Sequence, residues 1–428
     1  MSNQSIIEYT MQQLKKHGVT ESSCSLSDSE KQELNIQHGE MSLFRTTFNS
    51  SLSIEAFIDG KKGSTSINKT DTNSIDNAVL KVIELAKSSQ PDECYGISDY
   101  QPSKIFTCGS ENPDLDVMYD SLSDFNKYTK DKYPKIILEA AILSFDRTNT
   151  IVGNSNGVNF EINKGLYNFG PMFTAKDGKD TSSFNYTGFC AKEITKPLHQ
   201  YAMINQLLKE TEEQVKTSPI SEKFIGDIII TPDCLGDFLS MVEAYLSDFM
   251  IISGRSVYKD KLNQKIASSK LTLHSHPLSD ELDFNYFITG DAYTCENTTI
   301  IDKGILKTLL LGIYGSNKTG QKRSVNSGGS HIVEPGNKSF TEMVSSINKG
   351  ILLSRFSGGN PSDNGDFSGV AKNSYYIENG QIKYPISETM ISGNICQMLN
   401  NIVDISKETI NFGYDIYPWV QCSGITVS

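Results

Sequence analysis

The sequence is poor in the side chains that metal-dependent hydrolysis needs. Six histidines serve 428 residues, at His17, His38, His199, His274, His276 and His331, and the dipeptide His-Glu is absent. A hydrolytic zinc on a helix takes two imidazoles about one turn apart and a carboxylate base. Only His274 and His276 are close, and they stand two positions apart instead of a helical turn. The eight cysteines stand singly with no CxxC pair, which argues against a structural zinc cluster. No apolar leader is evident, since Ser5 to Lys16 reads as amphipathic, so reduced thiols in a cytoplasmic protein are expected. Long hydrophobic runs are missing too. The longest, Ile305 to Ile313, is broken by Lys307 and Thr308, well short of the roughly 20 residues that cross a bilayer. Basic runs are equally scarce: 39 Lys and Arg face 51 Asp and Glu, for a net charge of -12, with only Lys15-Lys16, Lys61-Lys62 and Lys322-Arg323 as concentrated patches. Direct nucleic-acid binding, which leaves a basic footprint, is therefore not expected.

What is there is the composition of an ordered globular protein, 37% hydrophobic and 21% charged, and long enough for two or three domains. The reading is an α+β chain in two parts, an N-terminal α+β domain over 1–195 and a C-terminal β-rich domain with a few packed helices over 196–428. The hinge falls near Lys192 to Leu198. In the first part, Ile6 to His17 reads as a helix closed by Gly18. Met41 to Phe48, Ser51 to Ile58 and Ser64 to Asn68 read as an antiparallel meander turning at Asp59 to Gly63. A helix from Ser74 to Lys87, capped by Asn73, buries Ile75, Val79, Val82, Ile83 and Ala86. Another helix, Asp120 to Lys132, leads to strands Ile136 to Phe145, Val158 to Asn168 and Met172 to Ala175, with a turn at Asn154 to Gly157.

The second part opens with a helix over Gln200 to Lys216, its solvated face carrying Glu210, Glu212 and Glu213. Ile225 to Ile230 reads as a strand buried on both faces. Pro232 to Ile252 repeats Phe238, Met241, Val242, Tyr245, Leu246 and Phe249 at three and four residues, a helix with a buried face. Ser339 and Glu342 make a capping box for a helix ending near Gly350, and Gly393 to Val403 closes the set.

The densest signal runs from Gly365 to Asn394. Ser357 to Gly369 is a Gly, Ser, Asn and Asp stretch expected to be loop. Tyr375 to Ile377, the turn Glu378-Asn379-Gly380 and Ile382 to Ile386 then form a hairpin, and Ser392-Gly393-Asn394 opens a helix. Together with Gly304 to Lys307, Gly315 to Asn326, Phe340 to Lys349 and Ile395 to Ile405, this block resembles the C-terminal region of the TldD/PmbA family. The likeness continues more loosely upstream through Asn154 to Gly157 and Ser74 to Lys87.

That resemblance implies a cytoplasmic protein tied to metal-dependent proteolysis and once described as a modulator of DNA gyrase. It also implies one of two kinds of subunit. One carries zinc on a His-Glu-x-x-x-His helix, and the other, the PmbA or TldE kind, lacks the motif and works as its partner. The helix expected to carry the motif corresponds to about Pro232 to Ile252, which holds no histidine. The expectation is thus a metal-free PmbA-like subunit with zinc in a TldD-like partner, or a homodimer where no such partner exists, acting on unfolded peptide.

Individual site residues are thinly marked. Asp366, Phe367 and Ser368 are candidates for a substrate channel or subunit interface, and Asp363 with Asp366 for an ion cradle, although their segment lacks EF-hand and P-loop spacing. Ser368 lies in Phe-Ser-Gly and not in a nucleophile elbow. His274 and His276, followed by Asp280, Glu281 and Asp283, are the metal candidates, with a surface His-Ser-His-Pro turn as the favoured reading. Cys422 reads as part of a terminal core strand. The alternatives are a self-sufficient peptidase using His274 and His276, and a regulatory binding protein without proteolysis.

Overall fold

The computed structural model describes Ser2 to Ser428 and is organised by two β-sheets. The first contains β1 (Glu21–Gln37), β2 (Glu40–Ile58), β3 (Lys61–Ile67), β4 (Lys104–Gly109), β5 (Ile136–Asn154) and β6 (Asn159–Asp177). Three short pieces, β7 (Asp180–Thr181), β8 (Asn185–Tyr186) and β9 (Phe189–Ala191), also pair with β6. Spatial order is β3-β2-β1-β5-β6-β4, antiparallel except for β4 beside β6. Helices α1 (Asn3–Lys16) and α2 (Thr72–Ser88) cover one end of a face, and α3 (Leu115–Lys132) the other.

Local chemistry accounts for these elements. Ser2 caps α1 by accepting the Ser5 N–H, and Gly18 follows with φ +82, a left-handed position that glycine tolerates. Asp71, not Asn73, caps α2, because its carboxylate accepts the Ser74 N–H at 3.0 Å. The expected helix at Asp120 starts five residues earlier, at Leu115 behind the cap Asp114. The two strands expected at Met41 to Phe48 and Ser51 to Ile58 are one, β2, and its partner β1 was not expected as a strand at all. Polar residues fill β1, yet Cys24 and Leu26 alternate inward beneath α1 and α2, and pairing on both edges holds the rest.

The second sheet comprises β10 (Phe224–Ile230), β11 (Leu273–Ser275), β12 (Thr298–Asp302), β13 (Ile305–Leu306), β14 (His331–Val333) and β15 (Lys349–Leu353). It continues with β16 (Arg355–Gly358), β17 (Asp366–Lys372), β18 (Tyr375–Glu378), β19 (Gln381–Pro385), β20 (Thr389–Asn394), β21 (Ile402–Asn411) and β22 (Ile416–Val427). Its main order is β13-β12-β11-β14-β22-β10-β15-β18-β19, and β22 also pairs with β20 and β21. Around it lie α4 (Ile204–Glu213), α5 (Pro232–Leu246), α6 (Asp248–Ile252), α7 (Ile313–Thr319), α8 (Phe340–Ser345) and α9 (Ile395–Asn400).

Several boundaries differ from the sequence reading. The helix expected over Gln200 to Lys216 is a single 3-10 turn, Leu198–Gln200, followed by α4. Glu210, expected on the solvated face, is buried, and burial pushes its carboxyl up to about 7. The Pro232 helix breaks at the extended Ser247, which turns Phe249 into solvent at 66% exposure instead of into the core. β10 is buried only from Ile228 onward, Ile225 being exposed. The capping box at Ser339 and Glu342 is present, but its helix stops at Ser345 so that β15 can pair with β10 and β18. The hairpin at Tyr375 turns through Asn379 and Gly380 at φ +50 and +72, as Asn-Gly favours.

One core cluster fills the second sheet around α5, another lies under α1 and α2, and a third spans both sheets. That third cluster joins Leu34, Phe125 and Phe169 to Ile229, Leu352 and Trp419, so the halves share buried apolar surface. All eight cysteines are free. Among the described residues no helix is long and apolar enough to cross a membrane.

Candidate functional site

Polar chemistry gathers where α5 crosses β14 and β22. His331 begins β14, Glu243 projects from the last turns of α5, and Asp415 and Tyr417 sit at the start of β22. His331 is 4% exposed. Its Nδ1 lies 2.8 Å from the Tyr417 hydroxyl, and its backbone N–H donates to Asp415 Oδ1 at 2.6 Å. Its Nε2 lies 2.8 Å from Glu243 Oε1, an ion-pair contact without hydrogen-bond alignment. Glu243 also accepts the Gly329 N–H at 3.1 Å. Burial works against a charged imidazole, but Glu243, and behind it Asp415, more than offset this and raise the His331 pKa. Burial raises the Asp415 carboxyl and lifts the Tyr417 phenol well above its usual range. The arrangement can hold a proton on His331, while every nearby acceptor is already engaged.

A cavity of about 940 Å³ lies between the two sheets. Its floor is the face of the first sheet that no helix covers, where Ser23, Ser25, Ser27, Ser53, Thr148 and Thr150 present hydroxyls. They share a face because alternate residues of a strand point the same way and the β1, β2 and β5 registers align. The opposite wall comes from Phe287 to Ala292, Leu310 to Tyr314 and Arg323. Asp248, at the start of α6, braces that wall by accepting the N–H groups of Gly312 and Gly315. A Cβ at Gly315 would stand 1.9 Å from Asp248 Oδ1, so only glycine allows the approach.

None of the candidate site residues named from the sequence lies in either place. Asp366, Phe367 and Ser368 belong to strand β17, not to a loop, because they pair with Asn394, Gly393 and Ser392 of β20, and with Ser357 and Gly358 held in β16 only 359–365 are left as the connection. Phe367 turns into the core with ring centroids 5.6 Å from Phe238, and Asp366 and Ser368 face the other way into solvent. Asp366 holds Asn394 and Asn364, while Asp363 is bidentate to Arg255. Ser392 to Asn394 finish β20, and Asn394 caps α9.

His274 lies in β11, not in a turn, its ring stacked 4.5 Å from that of His276. Thr299 and Glu334 occupy its two nitrogens. Cys422 is 1% exposed in β22, and burial raises its thiol far above the usual range. A Gly-x-Ser-x-Gly pattern at Gly153 to Gly157 falls on the β5 to β6 hairpin, where Ser155 accepts the Ser22 N–H, and not on the strand-to-helix elbow that a nucleophile needs.

Sequence reasoning missed both the His331 cluster and the cavity. Glu243 offered a signal, being a charge set among Met241, Val242, Tyr245 and Leu246 in the most apolar of the longer helices.

The chain is 26% identical over 422 residues to metalloprotease PmbA of Escherichia coli O157:H7, covering 91% of this chain and 89% of that protein. It is 26% identical over 223 residues to a zinc metalloprotease TldD homologue of Saccharolobus solfataricus, covering 48% of this chain and 50% of the other. Among solved structures, TldE from Thermococcus kodakarensis superposes with a TM-score of 0.84 at 17% identity, covering 99% of this chain and 100% of that one. A Bacteroides thetaiotaomicron protein described as a modulator of DNA gyrase gives 0.88 at 21%, covering 100% and 98%.

Zinc, which one of these names carries, does not fit the residues around α5. That helix supplies no imidazole. A tetrahedral ion with bonds of about 2.0–2.1 Å holds its donors roughly 3.3 Å apart, wider than the 2.8 Å between His331 Nε2 and Glu243. No group of three His, Cys, Asp or Glu among the described residues is placed to hold a metal. Two domain models, PmbA/TldA metallopeptidase domain 1 over residues 23–86 and the PmbA/TldA metallopeptidase C-terminal domain over residues 224–428, match most of this α+β architecture, and the chain belongs to the PmbA/TldD metallopeptidase family.

Proposed function

We propose that this chain is the non-metal, PmbA- or TldE-like subunit of a cytoplasmic two-subunit peptidase, holding unfolded peptide while a zinc-bearing TldD-like partner cleaves it. One observation carries the reading. The helix where the family's metal motif is expected, α5, presents an apolar core face, and the one histidine packed against it, His331, is committed to Glu243, Tyr417 and the Asp415 backbone contact.

In such a division of labour the partner's metal polarises the scissile carbonyl and activates water. This chain contributes peptide binding and half of the enclosure. An extended peptide is recognised through its main chain when it adds to a sheet edge, so sequence need not be read. The outer edge of β2 from Glu40 to Ser51 offers such an edge, since β3 pairs only with Leu52 to Ile58.

The test is reconstitution. Purified alone, the chain is expected to bind well below one zinc per molecule and to leave an unstructured peptide intact. Mixed with a zinc-bearing family member, it is expected to form a complex whose cleavage stops on chelation. Chelator-sensitive cleavage by the lone chain would overturn the proposal.

A further inference from the structure

The cavity between the sheets treats its charges unevenly. On its wall Lys62 is neutralised by Glu55 at 2.6 Å. Arg323 stacks on Tyr293 with its guanidinium carbon 3.7 Å from the ring centroid, and Asp291 lies 3.9 Å away. The wall's other carboxylates are spent on backbone and hydroxyl groups. Asp248 accepts two glycine N–H groups, and Asp291 accepts the Ile313 N–H at 2.8 Å and the Thr289 hydroxyl at 2.5 Å.

Lys164 differs from both other cations. Among the described residues no carboxylate lies within ion-pair distance of it, and its ammonium sits over the rings of Phe284 and Phe287, 4.5 Å and 5.8 Å from their centroids. Aromatic faces hold a cation in place without neutralising it. Its backbone pairs with Thr148, so it stands at one corner of the hydroxyl floor. Burial lowers its pKa, the mark of a cation held out of water without a compensating anion.

We propose that Lys164 is the anchor of a carboxylate-binding subsite, and that the cavity takes a short extended peptide with that carboxylate at the Lys164 end. The anion supplies the partner that the protein withholds, and the floor hydroxyls meet the peptide's carbonyl and amide groups. The volume suits this occupant, lying at the upper end of the roughly 300–1,000 Å³ usual for ligand sites. The carboxylate comes either from the peptide's C-terminus or from an Asp or Glu side chain, and chemistry at Lys164 is the same in both cases. The inference rests on the peptide-holding role proposed above.

Fluorescence anisotropy on the full chain tests it with three N-terminally labelled Ala/Ser hexapeptides: the free acid, its C-terminal amide, and an amide with one central Glu. The free acid is expected to bind about tenfold more tightly than the plain amide, the size of one charge-assisted contact. Lys164→Met is expected to abolish that difference, and Lys164→Arg to retain most of it, with thermal melts confirming that both variants fold. If the Glu amide binds like the plain amide, the subsite is specific for a C-terminus; if it binds like the free acid, side-chain carboxylates are accepted too. Equal binding of all three peptides would overturn the subsite and leave the peptide-holding role intact. Failure of all three to bind, alone or with a zinc-bearing partner, would overturn both.

Discussion

The two sheets are built by different rules. In the first, the long strands pair largely with neighbours in sequence, β1 with β2, β2 with β3 and β5 with β6, so turns fix register and alternation fixes faces. In the second, the last strand, β22, lies near the middle and pairs with β10, β14, β20 and β21. The consequence is chemical as well as topological. The first sheet offers repetition, a field of serine and threonine hydroxyls on one bare face. The second concentrates unlike groups, bringing Glu243, His331, Asp415 and Tyr417 together from three distant segments. Local pairing makes surfaces, and non-local pairing makes clusters.

The contrast is sharpest if the sheets are also energetically separate, and the shared core says that they are not. Trp419→Ala empties a position where β22 meets Phe340 and the cluster spanning both sheets. A loss of about 4 kcal/mol is expected, as for other large buried aromatics. Hydrogen exchange should rise in β5 and β6 as well as in β10 and β15; acceleration confined to the second sheet would divide the molecule into independent halves.

Next in size is the cluster itself. Glu243→Gln leaves the buried His331 cation without its nearest counter-charge and is expected to cost about 3 kcal/mol. The sign with pH follows from the raised His331 pKa. The folded state binds this proton more tightly than the unfolded chain does, so the stabilisation is full below the ordinary histidine value of 6.5. It fades as pH rises through the folded value. The gap between wild type and Glu243→Gln in urea melts should therefore narrow towards alkaline pH, and a gap independent of pH would mean that His331 is neutral throughout.

The smallest effect expected is a gain. Asp233, in the first turn of α5, is half-buried with its Oδ2 shut away from water, and this desolvation pushes its carboxyl from 3.8 up to about 7, with Thr187 as its hydroxyl donor at 2.6 Å. For an acid raised in the folded state, stability falls as pH climbs from 3.8 towards 7 and then stays low. Asp233→Asn keeps the Thr187 bond without the charge and should add about 2 kcal/mol at alkaline pH and almost nothing near pH 4. Equal melts at alkaline pH would show that water reaches the carboxylate.

The first sheet was the more legible in the sequence. Gly18, the turn at Asp59-Gly60 and the asparagine turn at Asn154 each mark an end whose backbone geometry a particular side chain favours. β1 escaped notice because its polar residues carry little propensity and gain their place from partners on both sides. In the second sheet, Asn379-Gly380 and the Ser339 to Glu342 box were readable for the same local reason. The Ser357 to Gly369 stretch was misread because its glycines speak for a loop while Val370 and Ala371 pull both ends into a hairpin. Phe249 was misread because the helical repeat ran on past Ser247, where the chain turns extended.

By itself the sequence determined the α+β class, the family resemblance and the lack of a two-imidazole helix, since periodicity, turn residues and motif spacing are properties of neighbouring positions. The tertiary structure alone decided that His331 finds Glu243 and Asp415, that Glu210 is a buried acid and Asp233 a half-buried one with an oxygen shut away from water, and that Lys164 lines a cavity with no carboxylate within ion-pair distance of it. Each of these depends on which strands and helices pack together. Side-chain charge is set by what surrounds it in space, and the order of residues along the chain does not carry that distance.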